Sequence, residues 1–388
     1  MTVLKGMAWS HQRGVGCLRA VSDAYARRTP GVRITWDARS LRDFEDVPIA
    51  ALAAEYDLIA MDHPYVGQAH AAAALVPLDT VLPAAVLAEQ RRDAVGPGYD
   101  GYTWAGGQWA AAMDVAAQVS AYRPDLLAGI GVDAPPRSWD GVLDLLASLP
   151  PGLRAVLPAN PTHLLASLLT LCAQQAGGAA GWLGPRGLDP EVAVPAAERL
   201  LALLDLVDPV SLRTDPIGAL ESMSAGTAVC YAPIVFGYVN YARPDHPGAA
   251  VRFADIPSPD GAPAGSLLGG VGLAVSAAST GVAAAAEFVA HVAGADCQRG
   301  EYVRAGGQPG SRTAWTDPEA DAACGGFFGA TLATVDRAYV RPRDPVYPVV
   351  HRRGGAAVHE LVRQRAEPAA VVRRFNEVCA ALYADAGR

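Results

Sequence analysis

Positive charge is scarce in this chain: Lys and Arg total 31 of 388 residues against 39 Asp and Glu, a formal charge of −8. No basic surplus exists to neutralise a phosphate backbone, which argues against nucleic acid as a partner. The cations are almost all arginine, a compositional bias shared with abundant Ala, Gly and Pro. Charged residues of both signs make up only 18%, and hydrophobic ones 51%. That is a globular composition, far from the signature of disorder. At roughly 100–200 residues per domain the length suggests two or three domains and excludes a lone small module.

Long hydrophobic runs are also missing. Nothing approaches about 18 uninterrupted apolar residues, so no membrane span is expected. The opening "MTVLKGMAWSHQRG" has no apolar leader core of roughly 7–15 residues. As it stands the chain reads as cytoplasmic, and a periplasmic or extracellular location would require that a leader had been removed. Cysteines are few, at 17, 172, 230, 297, 324 and 379. None forms a CxxC pair or a Cys–His spacing suited to zinc, and most sit in apolar stretches such as "TLCAQQ" and "AVCYAP". Free buried thiols are expected, with no metal and no cofactor. Gly-x-Ser-x-Gly, Walker and His-Glu-x-x-His motifs are absent, and "GGVGLA" opens a strand and not a helix, so it is no dinucleotide fingerprint.

What is present alternates. "TVLKGMAW" reads as a strand, "CLRAVSDAYARRTPG" as a helix, "VRITWDAR" as a strand, "DVPIAALAAEY" as a helix and "DLIAMDH" as a buried strand, which predicts α/β winding on a largely parallel sheet. Helices are predicted at about 138–149, capped by Ser138, and at 162–176, 190–207 and 216–225. "TAVCYAPIV" and "SLLGGVGLAVSAAS" read as strands, the latter followed by helix from "GVAAAAEFVAHV".

Four segments carry a resemblance. "YDLIAMDHPYVGQAHAAAALVPLD", "AAMDVAAQVSAYRPDLLAGIGVDAPPRSWDGVLDLL", "GGVGLAVSAASTGVAAAAEFVAHV" and "YVRAGGQPGSRTAWTDP" occur in the order found in the extracellular solute-binding proteins of ABC transporters, the family of maltodextrin- and other sugar-binding proteins, which the chain resembles over nearly its whole length. The resemblance implies the two-lobed α/β periplasmic-binding-protein fold of type II, with lobe one at about 1–111 plus 266–312 and lobe two at about 112–265 plus 313–388. It places hinge strands near Met113–Asp114 and Ser266–Gly270, with a monomer closing on a small molecule delivered to an ABC permease. The chain departs from the family pattern at Gly141, where an acidic residue is usual, and in lacking the leader.

Candidate contacts lie at strand ends, where α/β sheets bind ligands. Trp9, Ser10, His11 and Arg13 follow the first strand at a helix N-terminus that favours an anion, with Arg13 able to fork onto a carboxylate or phosphate. Asp62 and His63 follow the third, and because adjacent residues of an extended chain face opposite ways, only one is expected in the cleft. Asp62 serves equally well as the cap of the helix after it. Arg39 lies in a charge cluster with Ser40, Arg42, Asp43 and Glu45. Tyr231, Phe236 and Tyr238 suit stacking on a sugar face. Asp114, Gly269, Gly270 and Arg312 complete the expected set. The function expected is capture of a small polar ligand, anionic or polyhydroxylated. The alternative is a cytoplasmic lyase or isomerase on the same scaffold, with His11 or His63 as acid/base and Asp62 as its orienting partner.

Overall fold

Strict apolar alternation in "VRITWDAR", unbroken apolar character in "LIAM" and β-branched residues before glycine turns place the strands. The computed structural model describes residues 1–40 and 47–387. Among these residues nine strands form one hydrogen-bonded sheet: β1 (Thr2–Trp9), β2 (Val32–Arg39), β3 (Leu58–Met61), β4 (Leu75–Val76), β5 (Ala111–Tyr122), β6 (Arg154–Ala155), β7 (Val229–Phe236), β8 (Arg252–Ala254) and β9 (Leu268–Ser276). Their order is β2-β1-β3-β9-β5-β7-β6, with β4 on β9 and β8 on β5.

The expectation of a largely parallel sheet holds only at the two ends. β1 runs parallel to β2 and β3, and β6 parallel to β7, whereas β9 is antiparallel to β3 and to β5, and β5 is antiparallel to β7 and β8. The antiparallel centre follows from chain path. β5 leaves the first α/β unit and β9 returns to it, so the two must pass in opposite directions. Pairing is therefore continuous through the crossing strands, while the apolar cores on either side are separate. One core gathers Leu4, Met7, Leu18, Ile59, Leu273 and Phe288. A second gathers Trp139, Leu168, Leu200, Tyr231, Val350 and Phe375. A third, smaller, sits beside β5 around Val119, Tyr238, Trp315 and Phe327.

The helices used below are α1 (Cys17–Arg28), α2 (Ile49–Glu55), α3 (Trp139–Ser148), α4 (Pro161–Gln175), α5 (Pro190–Leu206), α6 (Pro216–Ala225), α7 (Val282–Val292), α8 (Phe327–Asp336), α9 (Tyr347–Arg363) and α10 (Pro368–Asp385). Their starts obey local rules. Ser138 caps α3 by accepting from the Gly141 amide at 3.2 Å, and Asn160 and Asp215 cap α4 and α6 with proline at the first helical position. All six cysteines are free and buried. Among the described residues no helix is long and apolar enough to cross a membrane.

Gly270 sits at the crossing. Its φ is +107°, and a Cβ there would lie 2.3 Å from the Asp114 carbonyl oxygen, so both conformation and close approach demand glycine. Gly270→Ala is expected to destabilise the fold by about 2 kcal/mol or more. Gly31→Ala, at a position with nothing within 4 Å, should stay within about 0.5 kcal/mol. Denaturant melts of both variants check this, and equal losses would remove the argument.

Candidate ligand-binding site

β1 ends at Trp9, and the chain then makes a wide helical turn in which the Gly16 amide reaches back five residues to the His11 carbonyl at 3.2 Å. The extra residue in the turn, Gln12–Gly16, swings Arg13 inward, where it is 3% exposed. Its Nε and Nη2 donate to the two carboxylate oxygens of Asp114 on β5 at 2.7 and 2.6 Å, and Nη1 donates to the Gly237 carbonyl at 2.7 Å. The guanidinium also lies 4.5 Å from the centre of the Tyr238 ring. Burial works against the charge on Arg13, but Asp114 outweighs it and raises the pKa. The expected anion clamp is therefore corrected: the fork of Arg13 is already closed on a carboxylate.

A second pair stands across the cleft. Asp62, just past β3, accepts from Arg341 Nη2 at 2.6 and 2.8 Å and from the His63 amide at 2.8 Å. Burial pushes the Asp62 carboxyl up, yet Arg341 and the His63 contact hold it well below the usual carboxylate range. Asp62 is thus both a cap and a cleft residue.

Between the two pairs lies a cavity enclosing about 660 Å³, part of it open to solvent. Its walls are Trp9, Arg13, Asp62, Ala116, Thr162, His163, Ala166, Pro216, Phe236, Tyr238, Gly269–Val271, Arg341 and His351. Trp9, Asp62 and Phe236 come from strand ends, Thr162 and His163 from the first turn of α4, and His351 from α9. Gly269 lets the Phe236 ring settle on the strand, since a Cβ there would lie 2.6 Å from the ring.

Of the residues expected from sequence, Trp9, Arg13, Asp62, Phe236, Tyr238, Gly269 and Gly270 meet at this cavity. The others do not line it. Ser10 is exposed. His11 packs edge-on against Tyr238, ring centres 5.0 Å apart, and accepts from the Arg13 amide. Arg39 turns outward to Glu55 and Tyr56. His63 is fully buried, 3.1 Å from Asp62. Asp114 is fully buried beneath Arg13, Tyr231 lies in the second core, and Arg312 pairs with Asp336 outside the cleft. Arg42, Asp43 and Glu45 lie outside the described residues. The Gly-rich loop at 304–312 does not line the cavity either. It ties the Arg13 turn to the segment after β7, Gln12 donating to the Ala305 carbonyl and Asn240 to that of Gly306.

Sequence reading missed Thr162, His163, Arg341 and His351. One signal was available: His163 is an ionisable residue in the otherwise apolar "LLASLLTLCA" helix. Among the described residues one group could approach a metal, His291, Cys297 and Glu301, and the Arg28 guanidinium already occupies it, donating to Glu301 and lying 3.1 Å from His291 Nε2.

The family model for bacterial extracellular solute-binding proteins matches residues 8–299. The chain belongs to this family. A probable ABC transporter-binding protein of Deinococcus radiodurans is 25% identical over 266 residues, spanning 64% of this chain and 62% of that protein. Among solved structures, maltose-bound MalE3 of T. maritima aligns with a TM-score of 0.82 and 18% identity over 98% of this chain and all of that one. A ribitol-bound solute-binding protein of Agrobacterium radiobacter gives 0.81 and 20% over 98% of each chain, and Mycobacterium tuberculosis UgpB with glycerophosphocholine gives 0.80 and 14% over all of both. These likenesses show the two-lobed fold of the family.

The site's histidines are neutral at pH 7. Burial, aided by Arg13, lowers His11 to about 4; burial and Arg341 lower His63 to about 4 and His351 to about 3; and burial lowers His163 to about 4. In the unfolded chain each titrates at about 6.5. Below that pH the unfolded state binds the extra protons, so their contribution is complete above about 6.5 and is lost as pH falls toward 4 and 3. Calorimetric melting should show Tm falling from pH 7 to pH 5, and a flat profile would contradict the neutral assignment. Breaking the other pair tests the core of the site. Asp114→Asn leaves Arg13 buried without its counter-charge and should cost about 3–5 kcal/mol, while the double variant Arg13→Met, Asp114→Leu should recover much of that loss.

Proposed function

We propose that this solute-binding protein takes a neutral polyhydroxylated ligand, a sugar or sugar alcohol, between its lobes and delivers it to an ABC permease, acting as a monomer outside the cytoplasmic membrane. The observation that carries the reading is charge compensation: both arginines lining the cavity are paired with carboxylates, Arg13 with Asp114 and Arg341 with Asp62, and both lining histidines are neutral. An anionic ligand would find no surplus positive charge to offset the cost of leaving water. A hydroxylated one finds donors and acceptors already held in place, with Trp9, Phe236 and Tyr238 supplying flat apolar faces. The relatives solved with maltose and ribitol support the same choice.

In this proposal the lobes divide at about 111/112, 265/266 and 312/313. Closure turns on the crossing strands near Asp114 and Gly270. An acid/base enzyme gains no support from the geometry. His63 is sealed beneath the cavity, and His11 sits outside its walls with its Nδ1 taken up by the Arg13 amide.

A thermal-shift screen tests the ligand class. A neutral sugar or polyol at 100 times its Kd should add about 2.7 kcal/mol of stability, while the matching sugar acid adds little. Phe236→Ala should weaken that binding at least tenfold. Stabilisation by sugar acids or phosphates alone would overturn the neutral-ligand reading.

A further inference from the structure

Beside the first core, three metal-ligating side chains of different chemistry converge. His291 stands in the last turn of α7, Cys297 closes the single helical turn Ala295–Cys297, and Glu301 lies in the wide turn Gln298–Tyr302 that continues it. The backbone at Gly294 is extended, so the chain leaves α7 in a new direction, and Cys297 and Glu301, four residues apart, share the face turned back toward His291. One imidazole nitrogen, the thiol sulfur and one carboxylate oxygen all lie within 4.8 Å of one another. None of the three residues lines the cavity between the ion pairs.

The point of convergence already holds a cation. Arg28, the last residue of α1, donates through Nη1 and Nη2 to the two oxygens of Glu301 at 2.5 and 3.0 Å, and its Nη2 lies 3.1 Å from His291 Nε2. A guanidinium has only donors, so Nε2 is the acceptor and the ring proton sits on Nδ1. The Nε2 lone pair and the carboxylate oxygens are thus aimed at positive charge, and the Tyr25 ring, 5.0 Å from the imidazole, fixes its plane. The guanidinium is the replaceable member of the group. The Arg28 side chain is 53% exposed, against 25% for His291 and 24% for Glu301, while Cys297 is buried. An exposed ion pair contributes little and is readily given up to water. Burial pushes the Cys297 thiol up to about 12, so the sulfur keeps its proton beside the guanidinium, and only an ion with affinity for thiolate displaces that proton.

We propose that this cluster is a site for a divalent metal ion of zinc's class, bound by His291 Nε2, Cys297 Sγ and a carboxylate oxygen of Glu301, with Arg28 as the cation it displaces. Tetrahedral zinc, with bonds of about 2.0–2.3 Å, sets its ligand atoms about 3.3–3.8 Å apart. His291 Nε2 and Glu301 Oε2 already stand 3.8 Å apart. The sulfur completes the set by moving about 1 Å. As the sulfur–metal bond forms, the thiol proton passes to solvent, Arg28 turns out into water, and a water molecule takes the fourth position on the side it leaves. Imidazole and thiolate among the ligands select zinc over calcium and magnesium, which prefer oxygen. The bound ion ties the end of α7 to the turn that leads into the 304–312 loop.

Metal titration of the untagged, reduced, chelator-treated protein tests the idea. Isothermal titration should show one zinc ion per chain, and cobalt(II) should give a thiolate-to-metal charge-transfer band in the near ultraviolet. Cys297→Ser should abolish that band and weaken zinc binding by about tenfold or more. His291→Gln should weaken zinc to a similar degree, and it keeps the test valid should the serine variant fold poorly. Arg28→Ala should act in the opposite direction and tighten zinc severalfold, because it removes the competing cation. That reversal separates an exchange site from an adventitious cluster of surface ligands. Failure to bind zinc, a cobalt band that persists without Cys297, or an Arg28→Ala variant no tighter than the parent would each overturn the assignment. Calcium or magnesium binding as tightly as zinc would overturn it as well.

Discussion

The Arg13–Asp114 pair is the constraint on which the cleft is built. A guanidinium and a carboxylate, each almost wholly withdrawn from water, are tolerated only where the geometry is bidentate and the remaining donors are met. Those conditions recruit three separate pieces of chain. The wide turn after β1 must present Arg13, the crossing strand β5 must present Asp114 across a sequence separation of 101 residues, and the bend after β7 must turn the Gly237 carbonyl inward. Once these are placed, Tyr238 lies against the guanidinium and His11 against Tyr238. One face of the cavity follows from satisfying one buried charge.

The second pair completes the electrostatics. Asp62 and Arg341 are 279 residues apart, and their contact brings the loop after β3 against the segment leading into α9. With each cation matched to an anion, the cavity is rich in fixed dipoles and poor in net field. Such a surface discriminates by the positions of hydrogen-bonding groups, because a ligand that leaves one of them unmet forfeits the full cost of its desolvation. The neutral histidines fit the same logic, offering one donor and one acceptor each instead of a charge.

How much of this was legible depended on the range of the interaction. Period-two and period-three-to-four patterns, Asn160-Pro161 and Asp215-Pro216 at helix starts, and Ser138 before Trp139 are local, and the helices predicted at 138–149, 162–176, 190–207 and 216–225 lie within a residue of where the pattern puts them. Strand-end placement likewise pointed to Trp9 and Asp62, and the aromatic run after "CYAPIV" to Phe236 and Tyr238. What local pattern does not contain is the partner of each charge. Arg13 reads as an open anion clamp until Asp114 is seen beneath it. Arg39 reads like Arg13 until its strand is seen at the sheet's outer edge, turned to Glu55. Arg341 has no local signal, since "VRPRDP" reads as an ordinary charged turn and its role arises from Asp62 alone. The antiparallel centre of the sheet was equally hidden, because strand direction at a crossing is a property of chain path and not of composition.

The two pairs also bear on the proposed closure. Arg13 follows β1 beside the first core, while Asp114 stands on the crossing strand β5 and the Gly237 carbonyl and the Tyr238 ring lie in the segment following β7, beside the third core. Arg341 and His351 come from the chain's return into the second core, whereas Asp62 rises from the first. In the proposed closure, separating the lobes would strip the Gly237 carbonyl and the Tyr238 ring from Arg13 and would part Asp62 from Arg341. Each loss exposes charge that water readily solvates, so the opening penalty from these contacts is modest. A ligand bridging the same two faces replaces bonds that exist only when the cores are together. In that proposal its binding energy is directed to closure through residues that hold no net charge of their own to give the ligand.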